Sequence, residues 1–201
     1  MMSHSVNTFL EGIMGRWEPN AEQRFLVAAI ELFKEVGFEG TTVAAIAQRA
    51  GLTPRTFFRY FTDKREVLFK GSEQLQQTMV EAAAQAPADA SAIDAVAAAL
   101  ATAGEFFTAE RRPYARVRHA VIAANPELHE RELIKLATLS GALADALRLR
   151  GVQEPDASLV AEAGIAVFRV AFGQWIADAD EREYGEIVSE SLVRLRRLTS
   201  L

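Results

Sequence analysis

Five consecutive residues, Ala50, Gly51, Leu52, Thr53 and Pro54, constrain the local fold more tightly than any other part of the chain. Gly51 stands where a helix should stop, and a residue without a Cβ enters the left-handed conformation that such a stop needs. Thr53 is placed to cap the next helix. Pro54 falls at its first helical position, where the missing N–H is no loss and φ is already helical. The surrounding stretch from Thr42 to Lys64, TVAAIAQRAGLTPRTFFRYFTDK, therefore reads as two short helices around a sharp turn, a helix-turn-helix. On the second helix Phe57 and Phe61 lie four apart and face a core, while Arg55 and Arg59, also four apart, lie on the opposite side.

Charge supports that division of faces. The whole chain of 201 residues carries a net charge of −5, which is the wrong sign for a nucleic-acid partner until it is resolved along the sequence. Asn20 to Lys70 holds eight Lys or Arg against six Asp or Glu, and Arg49 to Arg65 holds five cations against one acid. The basic charge is local, as a directed DNA surface requires.

Upstream, Asn20 and Gln23 have capping-box spacing for a helix with Phe25, Ala29, Leu32, Phe33 and Val36 on its apolar stripe, ended by Gly37. Arg24 lies on its exposed face, within reach of a DNA phosphate. Thr41 or Thr42 caps the following helix, where a hydroxyl and N–H at a helix start also suit a phosphate oxygen. Asp63 and Glu66 repeat the capping-box spacing and open a longer helix expected to run to about Ala86, a mechanical link to the rest of the chain. Residues 1–19 form an N-terminal extension in which Phe9, Leu10, Ile13, Met14 and Trp17 recur at helical spacing after Thr8; a short amphipathic helix and a mobile tail are both compatible with it.

Half the residues are apolar and cysteine is absent, so the chain can build a core, and disulfides, thiolate metal sites and a cysteine nucleophile are excluded. The apolar runs fall short of the roughly 18 residues that indicate a membrane span, and the N-terminus lacks the pattern of a secretion signal, so a cytoplasmic protein with no membrane partner is expected.

The run from Asn20 to Lys70, with RFLVAAIELFKEVGFEGTTVAAIAQRAGL and TPRTFFRYFTDKREVLF, resembles the N-terminal domain of TetR-family transcriptional regulators. The resemblance covers about a quarter of the chain, and its motifs arrive in the family order and spacing. It implies a repressor that binds a palindromic double-stranded DNA operator as a homodimer and is released by a small-molecule effector. It also implies DNA contacts from Thr42, Thr53, Arg55, Thr56, Phe58, Tyr60 and Lys64. Arg55, in the first turn of the groove-entering helix, suits a bidentate guanine contact, and Tyr60 and Lys64 suit phosphate. Position 58 is commonly tyrosine in the family. Phe58 has no hydroxyl to donate, which leaves a thymine methyl or simple packing as its role. The aromatic RTFFRYF run resembles a subgroup associated with acyl-CoA-like ligands.

The remainder, residues 71–201, reads as a helical ligand-binding and dimerisation domain, so the expected class is all-α. Helices are expected from Ser91 or Asp94, from Pro113 to Ala124, from Pro126 to Arg150, from Pro155 or Asp156, and from Glu183 to Leu198. A pocket for an apolar or acidic effector is expected among Phe106, Phe107, Tyr114, Val117, Val121, Leu139, Leu143 and Trp175, with ordinary core as the alternative for each. Arg111, Arg112, Arg116, Arg118 and His119 form a second cationic cluster; Arg118 or His119 turned inward would meet an acid, and turned outward is a solvated face. The last two helices are expected to pair with a second copy through Phe168, Phe172, Trp175, Ile176, Val188, Leu192 and Leu195.

Two other function classes are compatible with parts of the sequence. A DNA-binding activator or architectural protein without an effector has the same N-terminal motif, and a cavity in the helical domain separates the two. An all-helical enzyme is the remoter alternative. His4, His119 and His129 show no metal spacing, and neither a phosphate loop nor a nucleophile elbow is present, so no catalytic residue, metal or cofactor is expected.

Overall fold

The computed structural model describes residues 20–177 and 182–199, and the helix considered for residues 1–19 lies outside them. The fold is all-α, with no strand among the described residues. Asn20 caps α1 (Ala21–Gly40) by accepting a hydrogen bond from the Gln23 N–H at 2.9 Å. The helical path breaks at Gly37, the expected stop, where φ is +77°; a short further turn brings buried Phe38 against Phe33. Thr42, rather than Thr41, caps α2 (Val43–Arg49) by accepting from the Ala45 N–H. Thr41 is buried, and its hydroxyl donates to the Gly37 carbonyl.

Gly51 takes the left-handed conformation with φ +64°, and the Leu52 N–H closes the end of α2 on the Ala47 carbonyl. Thr53 then caps α3 (Pro54–Phe57). The helix expected to continue from Asp63 to Ala86 is two helices, α4 (Glu66–Phe69) and α5 (Ser72–Gln85). Between them Lys70 is extended and Gly71 has φ +85°, a conformation that only glycine adopts without strain and that a continuous helix cannot contain. Beyond these lie α6 (Ala92–Thr102), two 3₁₀ turns, α7 (Arg112–Ala123), α8 (Pro126–Leu149), α9 (Asp156–Ala177) and α10 (Tyr184–Thr199), close to the bounds expected from periodicity.

The chain divides into two compact units. One holds the described residues up to Lys70 together with Pro113–His129; the other holds Gly71–Arg112 and the described residues from Glu130 onward. The core of the first combines Phe25, Phe33, Ile46, Phe57, Phe61 and Leu68 with Ile122 and Leu128, so α7 supplies part of its packing. In the second, α5 packs on α6, and α6 on α9 and α10. Gly164 permits the close approach of α9 to α6, since a Cβ there would stand 2.4 Å from Val96 Cγ1. The apolar runs are expected to be too short to span a membrane, yet α9 is by length and composition long and apolar enough to cross one. Beyond Asp156 in its first turn, its charges are Glu162 and Arg169 alone; Ala161, Ile165, Phe168 and Trp175 are buried in the unit, as in a core helix.

Candidate nucleic-acid interface and helical domain

Phe57 lies edge-on to Phe25 with ring centroids 5.2 Å apart, and Phe61 packs against both. Each such pair adds about 0.5–1.5 kcal/mol beyond its buried area, which anchors a helix too short to be stable alone. With that face buried, α3 and the turn after it present Thr53, Arg55, Phe58 and Arg59 to solvent, with Thr56 and Tyr60 half-buried beside them. Thr53 and Thr42 each accept a backbone N–H as caps, so their hydroxyl protons remain donors. The Thr53 and Thr56 hydroxyls stand 2.9 Å apart, and one donates to the other. Phe58 is 58% exposed, a large apolar surface beside two arginines.

The five cations counted between Arg49 and Arg65 are not equivalent. Arg49 pairs with Glu31 and Glu35, and its hydrogen bond holds the Glu35 carboxyl below the ordinary carboxylate range. Arg65 pairs with Asp63. Arg59 donates to the Tyr60 hydroxyl at 2.8 Å and lies over its ring. Lys64, expected at phosphate, donates to the Phe38 carbonyl at 2.7 Å and the Thr41 carbonyl at 3.0 Å, and stacks on the Phe38 ring. It ties the loop before α2 to the end of the motif. Arg55 is exposed with no hydrogen bond or ion pair among the described residues, which leaves its planar fork of donors available.

Arg24 has a structural role that sequence reasoning missed. Its guanidinium reaches the Ala50 and Gly51 carbonyls and so clamps the turn, and a Cβ at Gly51 would stand 2.8 Å from Nη2. Only the fold reveals that these residues, distant in sequence, meet.

The residues expected to form one pocket are distributed over both units. Tyr114, Val117 and Val121 pack on the core of the first, where Arg118 donates to the Leu68 carbonyl at 2.6 Å and lies over Phe69; half-buried His119 is on the same helix. In the second, Leu139 and Leu143 are buried, Phe106 is half-buried, and Phe107 is the centre of an aromatic cluster with Phe168, Phe172, Trp175 and Tyr184. The inward-turned member of the second cationic cluster is Arg112, 2% exposed.

Of the positions expected at a dimer interface, Phe168, Trp175, Val188 and Leu192 are buried within their own unit, and Phe172, Ile176 and Leu195 are half-buried. The large apolar side chains that α9 and α10 leave exposed are Leu159, Val170, Val193 and Leu198.

Residues 25–70 match the family described as "Bacterial regulatory proteins, tetR family", and residues 90–199, more than half of the chain, match the "MftR C-terminal domain". The chain belongs to the TetR family of bacterial regulatory proteins. A relative, the HTH-type transcriptional regulator TcmR of Streptomyces glaucescens, is 27% identical over 178 residues, covering 84% of this chain and 79% of that protein. The fold is shared with the fatty acid degradation regulator FadR of Bacillus halodurans at a TM-score of 0.62 and 18% identity, covering 92% of this chain and 98% of that one. FadR of Bacillus subtilis in complex with stearoyl-CoA matches at a TM-score of 0.58 and 22% identity, covering 86% and 96%. This TetR-family chain is thus a DNA-binding transcriptional regulator with a C-terminal ligand-binding domain, and not an enzyme.

Proposed function

We propose that the protein is a repressor that binds a palindromic operator as a homodimer and releases it when the second unit takes up a small-molecule effector. The observation that carries the DNA reading is the exposed Arg55, unpaired among the described residues, on the outward face of a helix whose inward face is locked by Phe57 and Phe61. Arg55 reads guanine, and exposed Phe58 meets a thymine methyl. Thr42, Thr53, Thr56 and Tyr60 hold the phosphates on either side. Lys64 acts indirectly by holding the motif together.

The second copy docks on α9. Leu159, Ala163, Ala166, Val170, Gly173 and Ala177 follow one another at intervals of three and four residues, all exposed or half-buried, and the alanines and glycine among them allow close helix approach. A two-fold protein also matches a palindrome geometrically. Effector release has a covalent route, because α7 begins at Arg112 in the second unit and its later turns complete the core of the first. The stearoyl-CoA bound to the Bacillus subtilis neighbour supports an effector with a long apolar part.

Operators selected from random duplexes supply the test. Arg55→Ala should lose discrimination at one base pair in each half-site, by about 1–3 kcal/mol, while binding to random DNA changes little. Equal losses on operator and random DNA would remove Arg55 from base reading. Val170→Glu should yield monomers in sedimentation; a monomeric wild type at micromolar concentration would end the dimer reading.

A further inference from the structure

The aromatic cluster of the second unit contains three donor nitrogens that the described residues leave without acceptors: Arg112 Nε, Arg112 Nη1 and Trp175 Nε1. Arg112 is 2% exposed and Trp175 fully buried, and the guanidinium carbon lies 5.1 Å from the centre of the indole ring. The one hydrogen bond of the guanidinium runs from Nη2 to the Arg182 carbonyl, and no carboxylate pairs with it among the described residues. A guanidinium buried against aromatic rings with one carbonyl as partner is costly; a compact anion accepting from Nε or from Nη1 reduces that cost. The same cluster offers an apolar wall, since half-buried Phe107 and Phe172 border it beside buried Phe168.

We infer that the effector of the second unit is an apolar carboxylic acid whose carboxylate is held by Arg112 and the Trp175 N–H and whose body lies against Phe107, Phe168 and Phe172. This deepens the proposed effector response and rests on it. Arg112 is the first residue of α7, so the bound carboxylate fixes the start of the helix whose later turns belong to the DNA-binding unit's core.

Thermal unfolding of the full-length protein tests the site directly, with 1-naphthylacetate, phenylacetate and decanoate as probes, each beside its uncharged amide, and acetate as the acid without a body. At ten times its dissociation constant, a binding acid should raise the melting temperature by about 3 °C, and its amide and acetate should not. Arg112→Met keeps the stem and deletes the unpaired charge. The ligand-free variant should melt at or above the wild-type temperature and should no longer respond to the acid, while Arg112→Lys keeps a weakened response. A ligand-free Arg112→Met protein that melts several degrees lower would show that Arg112 pairs within the chain, and overturn the inference. So would equal stabilisation by amide or acetate, or no response to any of the three acids at millimolar concentration. Operator affinity separates the two readings. Arg112-dependent acid binding that leaves operator affinity unchanged supports this site and defeats effector-driven release; operator release by an uncharged amide in both wild type and Arg112→Met defeats this site and supports release.

Discussion

The two units each contain an aromatic cluster, and the clusters differ in what their polar atoms do. In the first, Phe25, Phe57 and Phe61 have no polar atoms to satisfy, and Tyr60 carries its hydroxyl out to Arg59. In the second, Phe107, Phe168, Phe172 and Tyr184 cluster with Trp175, whose N–H has no acceptor among the described residues, and the Tyr184 hydroxyl reaches the Phe168 carbonyl only at 3.5 Å. Burial pushes the Tyr184 phenol well above its ordinary range, so it stays a neutral donor. One cluster is complete as a core. The other leaves buried donors without acceptors among the described residues, and the proposed ligand site rests on that contrast.

The largest expected effect tests this contrast directly. Phe57→Ala should cost about 3–5 kcal/mol by chemical denaturation and release the first unit's core, whereas Phe107→Ala, at a half-buried position, should cost about half as much. Equal costs would mean that the second cluster is also a closed core. Within the second unit, Gly164→Ala forces a Cβ against Val96 and should cost about 1–3 kcal/mol. A neutral outcome would show α6 and α9 free to move apart, and would weaken the picture of a rigid wall.

Lys64→Met removes the ties to the Phe38 and Thr41 carbonyls, so it should lower the first unit's stability by about 1–2 kcal/mol. Unchanged stability with weaker binding to all DNA sequences would return Lys64 to the phosphate role expected from the motif. The smallest effect concerns pH. Burial raises the Asp63 carboxyl, but hydrogen bonds from the Arg65 and Glu66 N–H groups and from the Arg65 side chain outweigh it and hold the group below its ordinary value near 3.8. Its contribution is therefore full above that value and lost as pH falls through the lower folded one. Asp63→Asn keeps an acceptor for the Arg65 and Glu66 N–H groups, so it should cost no more than about 0.5 kcal/mol at neutral pH and flatten the acid limb of the first unit's unfolding curve. An unchanged limb would exclude Asp63 as its source.

Much of the first unit was legible because its determinants are local. A cap at Asn20, left-handed glycines at Gly37 and Gly51, and the Thr53–Pro54 start act within a few residues, where backbone sterics and one hydrogen bond decide the outcome. The break at Gly71 escaped because an isolated glycine in a helical pattern reads equally as a tolerated residue or a stop. The charge count misled for a different reason. Five cations in seventeen residues mark a basic segment, but Arg49 and Lys64 are bound by Glu31, Glu35, Phe38 and Thr41. Those residues precede the segment and reach it only when the chain folds back.

Sequence alone determined the helical class, the helix-turn-helix and the position of Arg55 on its outward face, since periodicity and capping are properties of neighbouring residues. It also placed a second cationic cluster between Arg111 and His119. Tertiary structure decided which member of that cluster is buried, which arginine clamps the turn, and which apolar residues of α9 remain outside. These outcomes depend on what a side chain meets across the fold. Arg112 and Arg118 are six residues apart on one helix, yet the first lies against Trp175 and the second against Phe69, because each helix turn packs on a different neighbour.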